Sequence, residues 1–244
     1  MIRFLIILML FLGGAAAAQD HLEPEDSVYQ GRAFQDDMLI GYDIDVVRKF
    51  EEFFAGGFGV RAIILPSFET EYGVGVTYDK DDPILVGLRA DAKLWYYSIL
   101  REYDSQTRPK NGRYEEKKKE DMRELRASLP PRIEDVKLKR CEMPLSAESH
   151  AILTNLWRTM LYGVRYPPTH RFGLDGISYH YSGAFDRQTL AGQTWSPKKG
   201  TRLDRFTRMT EQLYAACSAN DAAALSDAIS IARSICKEVG CGDD

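Results

Sequence analysis

The sequence lacks the residue spacings that mark most metal sites. It has only four cysteines and four histidines in 244 residues, with no C-x-x-C pair and no H-E-x-x-H pattern. His170 and His180 stand ten residues apart, and His21 and His150 are remote from both. None of these spacings matches the ligand patterns of structural or catalytic zinc. We therefore expect no metal and no cofactor.

Two motifs of nucleotide binding and nucleophilic catalysis are also missing. The Gly-Gly-Phe-Gly run at residues 56–59 looks like a phosphate loop, but no Gly-Lys-Ser/Thr follows it. Its glycines instead suit the end of a helix, where a left-handed backbone is common. There is no G-x-S-x-G nucleophile elbow either.

An excess of positive charge is absent as well. The chain carries 32 lysines and arginines against 36 aspartates and glutamates, a formal net charge of −4. General affinity for nucleic acid or anionic lipid depends on basic surface. We therefore expect no nucleic-acid partner.

Long apolar runs are absent except at the N-terminus. Arg3 precedes an unbroken apolar run, Phe4 to Leu12, and small residues follow as far as Ala18. This pattern predicts a secretory signal peptide over residues 1–18, and its apolar run is shorter than the roughly 20 residues of a membrane helix. No cysteine lies nearby to carry a lipid. We expect cleavage before Gln19 and a soluble periplasmic protein without a membrane anchor.

The even number of cysteines predicts two disulfides in an oxidising compartment. Four cysteines allow three pairings, which can be ranked if the last two predicted helices form an antiparallel hairpin that turns near residues 219–221. Cys217 would then lie beside the turn, and Cys236 some 15 residues farther along, roughly 22 Å away. Bridged cysteines need Cα atoms within about 7 Å. The hairpin therefore favours pairing Cys141 with Cys217 and Cys236 with Cys241.

Apolar periodicity predicts an α+β fold. Alternating or β-branched segments predict strands at residues 60–65, 72–78, 84–89, 136–141, 177–181 and 190–195. Helical spacing of apolar residues predicts helices from residue 45, from residue 94, after Ser146 as the N-cap, and along 203–217 and 225–236. We expect an antiparallel sheet of about five or six strands with amphipathic helices packed on one face.

The chain then divides into a short arm and one larger unit. Residues 19–42 have no sustained period and predict a loosely ordered arm. Residues 43–244 are predicted to form a single α+β domain. Within it, residues 104–131 mix both charges with little apolar surface, which is typical of a solvated helical insertion.

Potentially functional side chains are densest near the last predicted strands, at residues 173–182 and 192–197. Strand alternation places Tyr179 on one face and His180 on the other. If the tyrosine face is core, His180 faces solvent. We therefore predict a recognition surface, with binding residues at Asp175, Tyr179, His180 and Trp195. Sequence does not decide which residue of the next strand lies opposite His180.

The same segment contains the residue types of a hydrolase: His180 as base, Ser178 or Ser182 as nucleophile, and Asp175 as the orienting acid. A serine two residues from a histidine on one strand points in the same direction, which does not bring its oxygen onto the imidazole. We assign no catalytic residue.

The last third of the chain resembles a group of uncharacterised secreted proteobacterial proteins. The matching features are Leu174-Asp175-Gly176, Tyr179-His180 and Gly192 to Pro197, with a looser match at 140–142. The resemblance implies a Gram-negative periplasmic location and carries no activity.

These observations lead to two functional expectations. The first is a non-catalytic binding protein, of the inhibitor or immunity type, with a protein partner in the cell envelope. The alternative is an envelope hydrolase whose site is assembled from residues distant in sequence.

Overall fold

The computed structural model describes residues 20–25, 41–77, 81–105, 113–167 and 175–241, with only the backbone for 113–115. The predicted signal peptide and most of the predicted arm lie outside these residues. Within the described ranges, no helix is both long enough and apolar enough to span a membrane.

Seven strands form one antiparallel sheet, which confirms the α+β prediction with one strand more than expected. In spatial order the strands run β1-β7-β6-β2-β3-β4-β5. Their bounds are β1 Glu23–Pro24, β2 Phe58–Pro66, β3 Tyr72–Thr77, β4 Ile84–Ala90, β5 Leu138–Pro144, β6 Ile177–Phe185 and β7 Gln188–Trp195.

Seven α-helices are present in the described part of the chain, along with a 3-10 turn at Ile133–Asp135. The helices are α1 Gly41–Lys49, α2 Glu51–Phe54, α3 Leu94–Ser105, α4 Arg113–Ser128, α5 Ala147–Tyr162, α6 Arg202–Ala219 and α7 Ala222–Val239. Ser146 caps α5 as predicted, because its hydroxyl accepts a hydrogen bond from the Ser149 amide at 3.1 Å. Asn220 takes the left-handed conformation at the turn between α6 and α7, which lies where the hairpin was predicted to turn.

Helices cover both faces of the sheet, so the prediction of helices on one face was wrong. Helices α5, α6 and α7 pack on one face around Trp157 and Phe206, whereas α1, α2 and α3 pack on the other around Phe50 and Phe53. The central strand β2 is buried continuously from Val60 to Leu65. Continuous burial is the property of a strand covered on both sides, and it explains the uninterrupted apolar run at residues 62–65.

Two glycines in β3 allow the second helical layer to pack closely. A Cβ at Gly73 would lie 2.6 Å from the Phe53 ring, and one at Gly75 would lie 3.0 Å from it. Such distances are too short for any other residue without movement of the ring. The alternate positions, Val74 and Val76, fill the core on the opposite face.

The predicted loosely ordered arm begins instead as an ordered edge strand. β1 pairs with β7 through Glu23 opposite Gln193, and Leu22 is fully buried in the core. The six described residues, 20–25, are too few to show a hydrophobic period, so the sequence pattern did not indicate this strand. The rest of the arm up to residue 40 lies outside the described residues.

The charged insertion contains a helix, α4, whose described side chains are mostly exposed. Arg126 binds the Asp104 carboxylate at the end of α3 through both oxygens, at 2.9 and 2.8 Å. Both hydrogen bonds come from Arg126 Nη2, and they form a polar link between the insertion and the helix before it.

Both predicted disulfides are present. Cys141 in β5 joins Cys217 in α6 with a Cα separation of 5.7 Å, and Cys236 joins Cys241 at 4.8 Å. The hairpin of α6 and α7 that excluded the other pairings is also present. The longer bridge ties the far edge of the sheet to the helices above it.

We expect loss of the longer bridge to cost more stability than loss of the shorter one. The paired change Cys141→Ala and Cys217→Ala opens a sequence separation of 76 residues, against 5 for Cys236→Ala and Cys241→Ala. The chain-entropy estimates are at most about 4 and about 2 kcal/mol, respectively. Urea denaturation of both double variants measures the difference. An equal or larger loss from the short loop would contradict the entropic ranking.

Candidate binding cleft

The structure supplies the register between β6 and β7 that the sequence left open. His180 lies opposite Gln193, and Ser178 lies opposite Trp195. Because directly opposed residues project to the same side, Trp195 shares the His180 face. Tyr179 lies opposite Thr194 and projects to the other face.

The two motifs at residues 173–182 and 192–197 meet at Gly176. The Ser196 hydroxyl accepts a hydrogen bond from the Ile177 amide at 3.0 Å, and the Trp195 indole packs directly on Gly176. A Cβ at Gly176 would lie 2.6 Å from Trp195 Nε1 and 2.5 Å from Ser196 Oγ. Glycine at this position therefore lets the tryptophan pack closely against the start of β6.

A third segment, the loop from Ser67 to Glu71 between β2 and β3, joins the same junction. The Ser67 hydroxyl donates to the Gly176 carbonyl at 2.8 Å and accepts from the Gly176 amide at 3.0 Å. Farther along, Arg89 donates to the Thr70 hydroxyl at 2.7 Å. The loop is thus bound at several points while Phe68, at its tip, is 69% exposed.

Glu71 connects this loop to the helices beside it. Its carboxylate is fully buried and accepts hydrogen bonds from the Leu94 and Trp95 amides at 2.9 and 3.0 Å. It therefore caps α3, where the helix dipole favours negative charge. It also accepts from the Tyr42 hydroxyl at 2.9 Å, and Tyr42 packs edge to face on Trp95 with ring centroids 5.0 Å apart.

Together these contacts build a cleft of about 520 Å³, a usual size for a ligand site. We call it the aromatic cleft. Four aromatic side chains, two aspartates and His180 dominate its lining, which consists of Tyr42, Asp43, Leu65, Pro66, Ser67, Phe68, Trp95, Asp175, Ser178, His180 and Trp195. Three of the four predicted binding residues, Asp175, His180 and Trp195, therefore lie in one site.

His180 is not solvent-facing, and that prediction was wrong. It lies on the opposite face from Tyr179, as the alternation indicated, but it is only 9% exposed. Its Nδ1 lies 2.6 Å from the carboxylate of Glu25, whose side chain is fully buried. The partner comes from the residue after β1, 155 positions away in sequence, and sequence reasoning missed it.

Tyr179, the fourth predicted binding residue, lies outside the aromatic cleft. It is buried on the opposite face, and its hydroxyl donates to the Glu211 carboxylate at 2.6 Å. Burial first, and then this carboxylate, raise the pKa of Tyr179, so the phenol stays protonated. Near it, Glu211 lines a separate cleft of about 570 Å³ with Tyr72 and Arg89.

Three residues that complete the aromatic cleft from other parts of the chain, Tyr42, Phe68 and Trp95, were not predicted from the sequence. The sequence around Phe68 could have indicated an exposed aromatic residue, since Phe68 stands alone in a polar turn between two strands. The sequence around Tyr42 and Trp95 could not, because each residue lies near a helix start and was compatible with a core position. Only the packing of α1 and α3 against the sheet brings them to the cleft.

Metal ligation has no support in the described ranges, where no three His, Cys, Asp or Glu side chains lie close enough to share an ion. His150 is buried in α5, and His21 lies beside β1. His170 lies outside the described residues.

We expect the contributions of Glu25 and His180 to the free energy of unfolding to be coupled through their direct contact. Changing either residue to alanine leaves the other polar group buried without this partner, which typically costs several kcal/mol. The double variant should lose less than the sum of the two single losses, by more than about 1 kcal/mol. Urea unfolding of all four proteins in the cycle measures this coupling. Simple additivity would show that the two side chains contribute independently.

We expect Gly176→Ala to displace Trp195 and to cost about 1 to 3 kcal/mol, because the added methyl group overlaps the indole. Gly57→Ala is the matched control, since a Cβ at Gly57 would have no described atom within 4 Å. Tryptophan fluorescence and urea midpoints of both variants measure the effect. A Gly176 variant as stable as the control would mean that the junction accommodates a side chain.

Comparison of the chain with protein-family models, with curated proteins and with solved structures finds no match in any of the three. The functional inference therefore depends on the aromatic cleft itself.

Proposed function

We propose that this protein is a periplasmic, non-catalytic binding protein of the inhibitor or immunity type, which captures a protein partner of the cell envelope in the aromatic cleft. One observation carries the proposal. Phe68 and Trp95 are 69% and 45% exposed, and both line the same cleft.

Aromatic side chains on a protein surface are typical of binding hot spots. Interfaces are enriched in aromatic residues, and a few such residues account for most of the binding energy. Scattered exposed apolar residues are common, but here two of the four large exposed hydrophobic residues of the described ranges lie with two further aromatic residues in one concavity.

The backbone on which these rings stand is held in place before binding. Ser67 is bound to Gly176, and Glu71 caps the helix that begins at Leu94. A partner would therefore order little of this surface on binding, which reduces the entropic cost of association.

The proposed location rests on the predicted signal peptide, and the two disulfides support it. Cysteine pairs of this kind persist in oxidising compartments such as the bacterial periplasm.

The buried Glu25–His180 contact favours one alternative, an envelope hydrolase. A carboxylate on one imidazole nitrogen is the arrangement that orients a catalytic histidine, and His180 lines the cleft beside Ser178. The mass of the released partner distinguishes the two functions. A binding protein releases its partner with unchanged mass, whereas a hydrolase releases a shortened or deacylated product.

We expect Phe68→Ala to reduce capture of the partner from periplasmic extract at least tenfold. A hot-spot aromatic residue contributes about 2 kcal/mol or more to the binding free energy, which corresponds to roughly a thirtyfold change in affinity. Its folding stability should stay within about 0.5 kcal/mol of the parent, since the ring is exposed. Quantitative pull-down followed by mass spectrometry and urea unfolding measures both properties.

Tyr162→Ala is the matched control for this experiment. Tyr162 is 58% exposed on α5, away from the cleft, so the same kind of truncation should leave capture unchanged. Equal capture by the parent and the Phe68 variant would refute the proposed role of the cleft.

A further inference from the structure

We infer that the aromatic cleft recognises a basic side chain of the partner, a lysine or arginine flanked by apolar residues. This inference rests on the proposed function and specifies the chemistry of the occupant. It follows from the charge of the lining and from the aromatic rings of the cleft, over which no lysine or arginine of the described residues lies.

The described lining is acidic. It includes Asp43 and Asp175 and contains no lysine or arginine. Asp175 is exposed, and the hydrogen bonds between Gly176 and Ser67 fix the backbone immediately after it. A cationic side chain entering the cleft therefore meets the carboxylate of a residue whose neighbouring backbone is already fixed.

The aromatic rings provide the second part of the recognition. A guanidinium or ammonium group is attracted to the face of a tryptophan or tyrosine within about 6 Å. The protein uses this contact elsewhere: the Arg61 guanidinium lies 4.9 Å from the Phe54 ring centroid, and the Arg89 guanidinium lies 5.6 Å from that of Tyr72.

In the described part of the chain, no lysine or arginine lies over a ring of the aromatic cleft. The faces of Trp95 and Trp195 are therefore not used by cations of the described residues. An acidic partner segment would instead bring like charge against Asp175 in a half-enclosed site, which is unfavourable.

The cleft volume is compatible with a short segment of chain. About 520 Å³ accommodates one long side chain together with its apolar neighbours. Pro66 and Leu65 provide apolar contact for those neighbours at the floor of the cleft.

A pair of peptides tests this inference on the full mature protein. Acetyl-Ala-Leu-Arg-Leu-Ala-amide presents the cation, and the analogue with citrulline in place of arginine keeps the shape without the charge. Isothermal titration should show the arginine peptide binding at least tenfold more tightly, with a preference that falls as salt is added.

Asp175→Asn should reduce this preference at least threefold. Asp227→Asn is the matched control, because Asp227 is an exposed aspartate on α7, which packs on α5 and α6 in the layer on the opposite face of the sheet. The control should keep the preference of the parent.

Equal affinity for the two peptides, or binding of neither, would overturn the inference about a basic side chain. The proposed function would survive that result if Phe68→Ala still reduces capture of the partner at least tenfold. If Phe68→Ala leaves capture unchanged, the proposed function fails whatever the peptides do. Preferential binding of a glutamate-containing analogue would indicate an acidic occupant and would also overturn the inference.

Discussion

The buried carboxylate of Glu71 is the interaction on which the aromatic cleft depends. It accepts hydrogen bonds from the first two amides of α3 and from the hydroxyl of Tyr42 in α1. One side chain on a sheet loop thereby sets the positions of two helices relative to the sheet. Without it, the Tyr42 hydroxyl and the first amides of α3 would all lack this acceptor.

The second constraint is the convergence of three distant segments on Gly176. The end of β2, the start of β6 and the end of β7 meet there, each through a polar contact or a ring packed on backbone. This junction gives a physical reason for the pattern noted in the sequence. Gly176 is needed for the approach of Trp195, and Ser196 is needed to bind the Ile177 amide. Both roles are structural, and they leave Asp175 at the mouth of the cleft.

The sequence predicted those features that depend on local rules. The Ser146 cap, the alternation of residues 177–181 and the disulfide pairing all follow from spacing along one or two elements. It did not predict the second helical layer, because an apolar run such as residues 62–65 is compatible with several environments. It also could not pair Glu25 with His180, since that contact depends on an edge strand of two residues, β1, whose position only the completed sheet determines.

The disulfides lie on only one side of the sheet. Both bridges belong to the layer formed by α5, α6 and α7, whereas α1, α2 and α3 are held by noncovalent contacts alone. The two layers therefore differ in how they can open. Thermal fluctuations can detach the layer beside the cleft without breaking a covalent bond, while the opposite layer stays cross-linked as a template for its return. A protease would therefore cleave first within α1, α2 or α3, and a ligand that contacts both α3 and the loop at Phe68 would slow that cleavage.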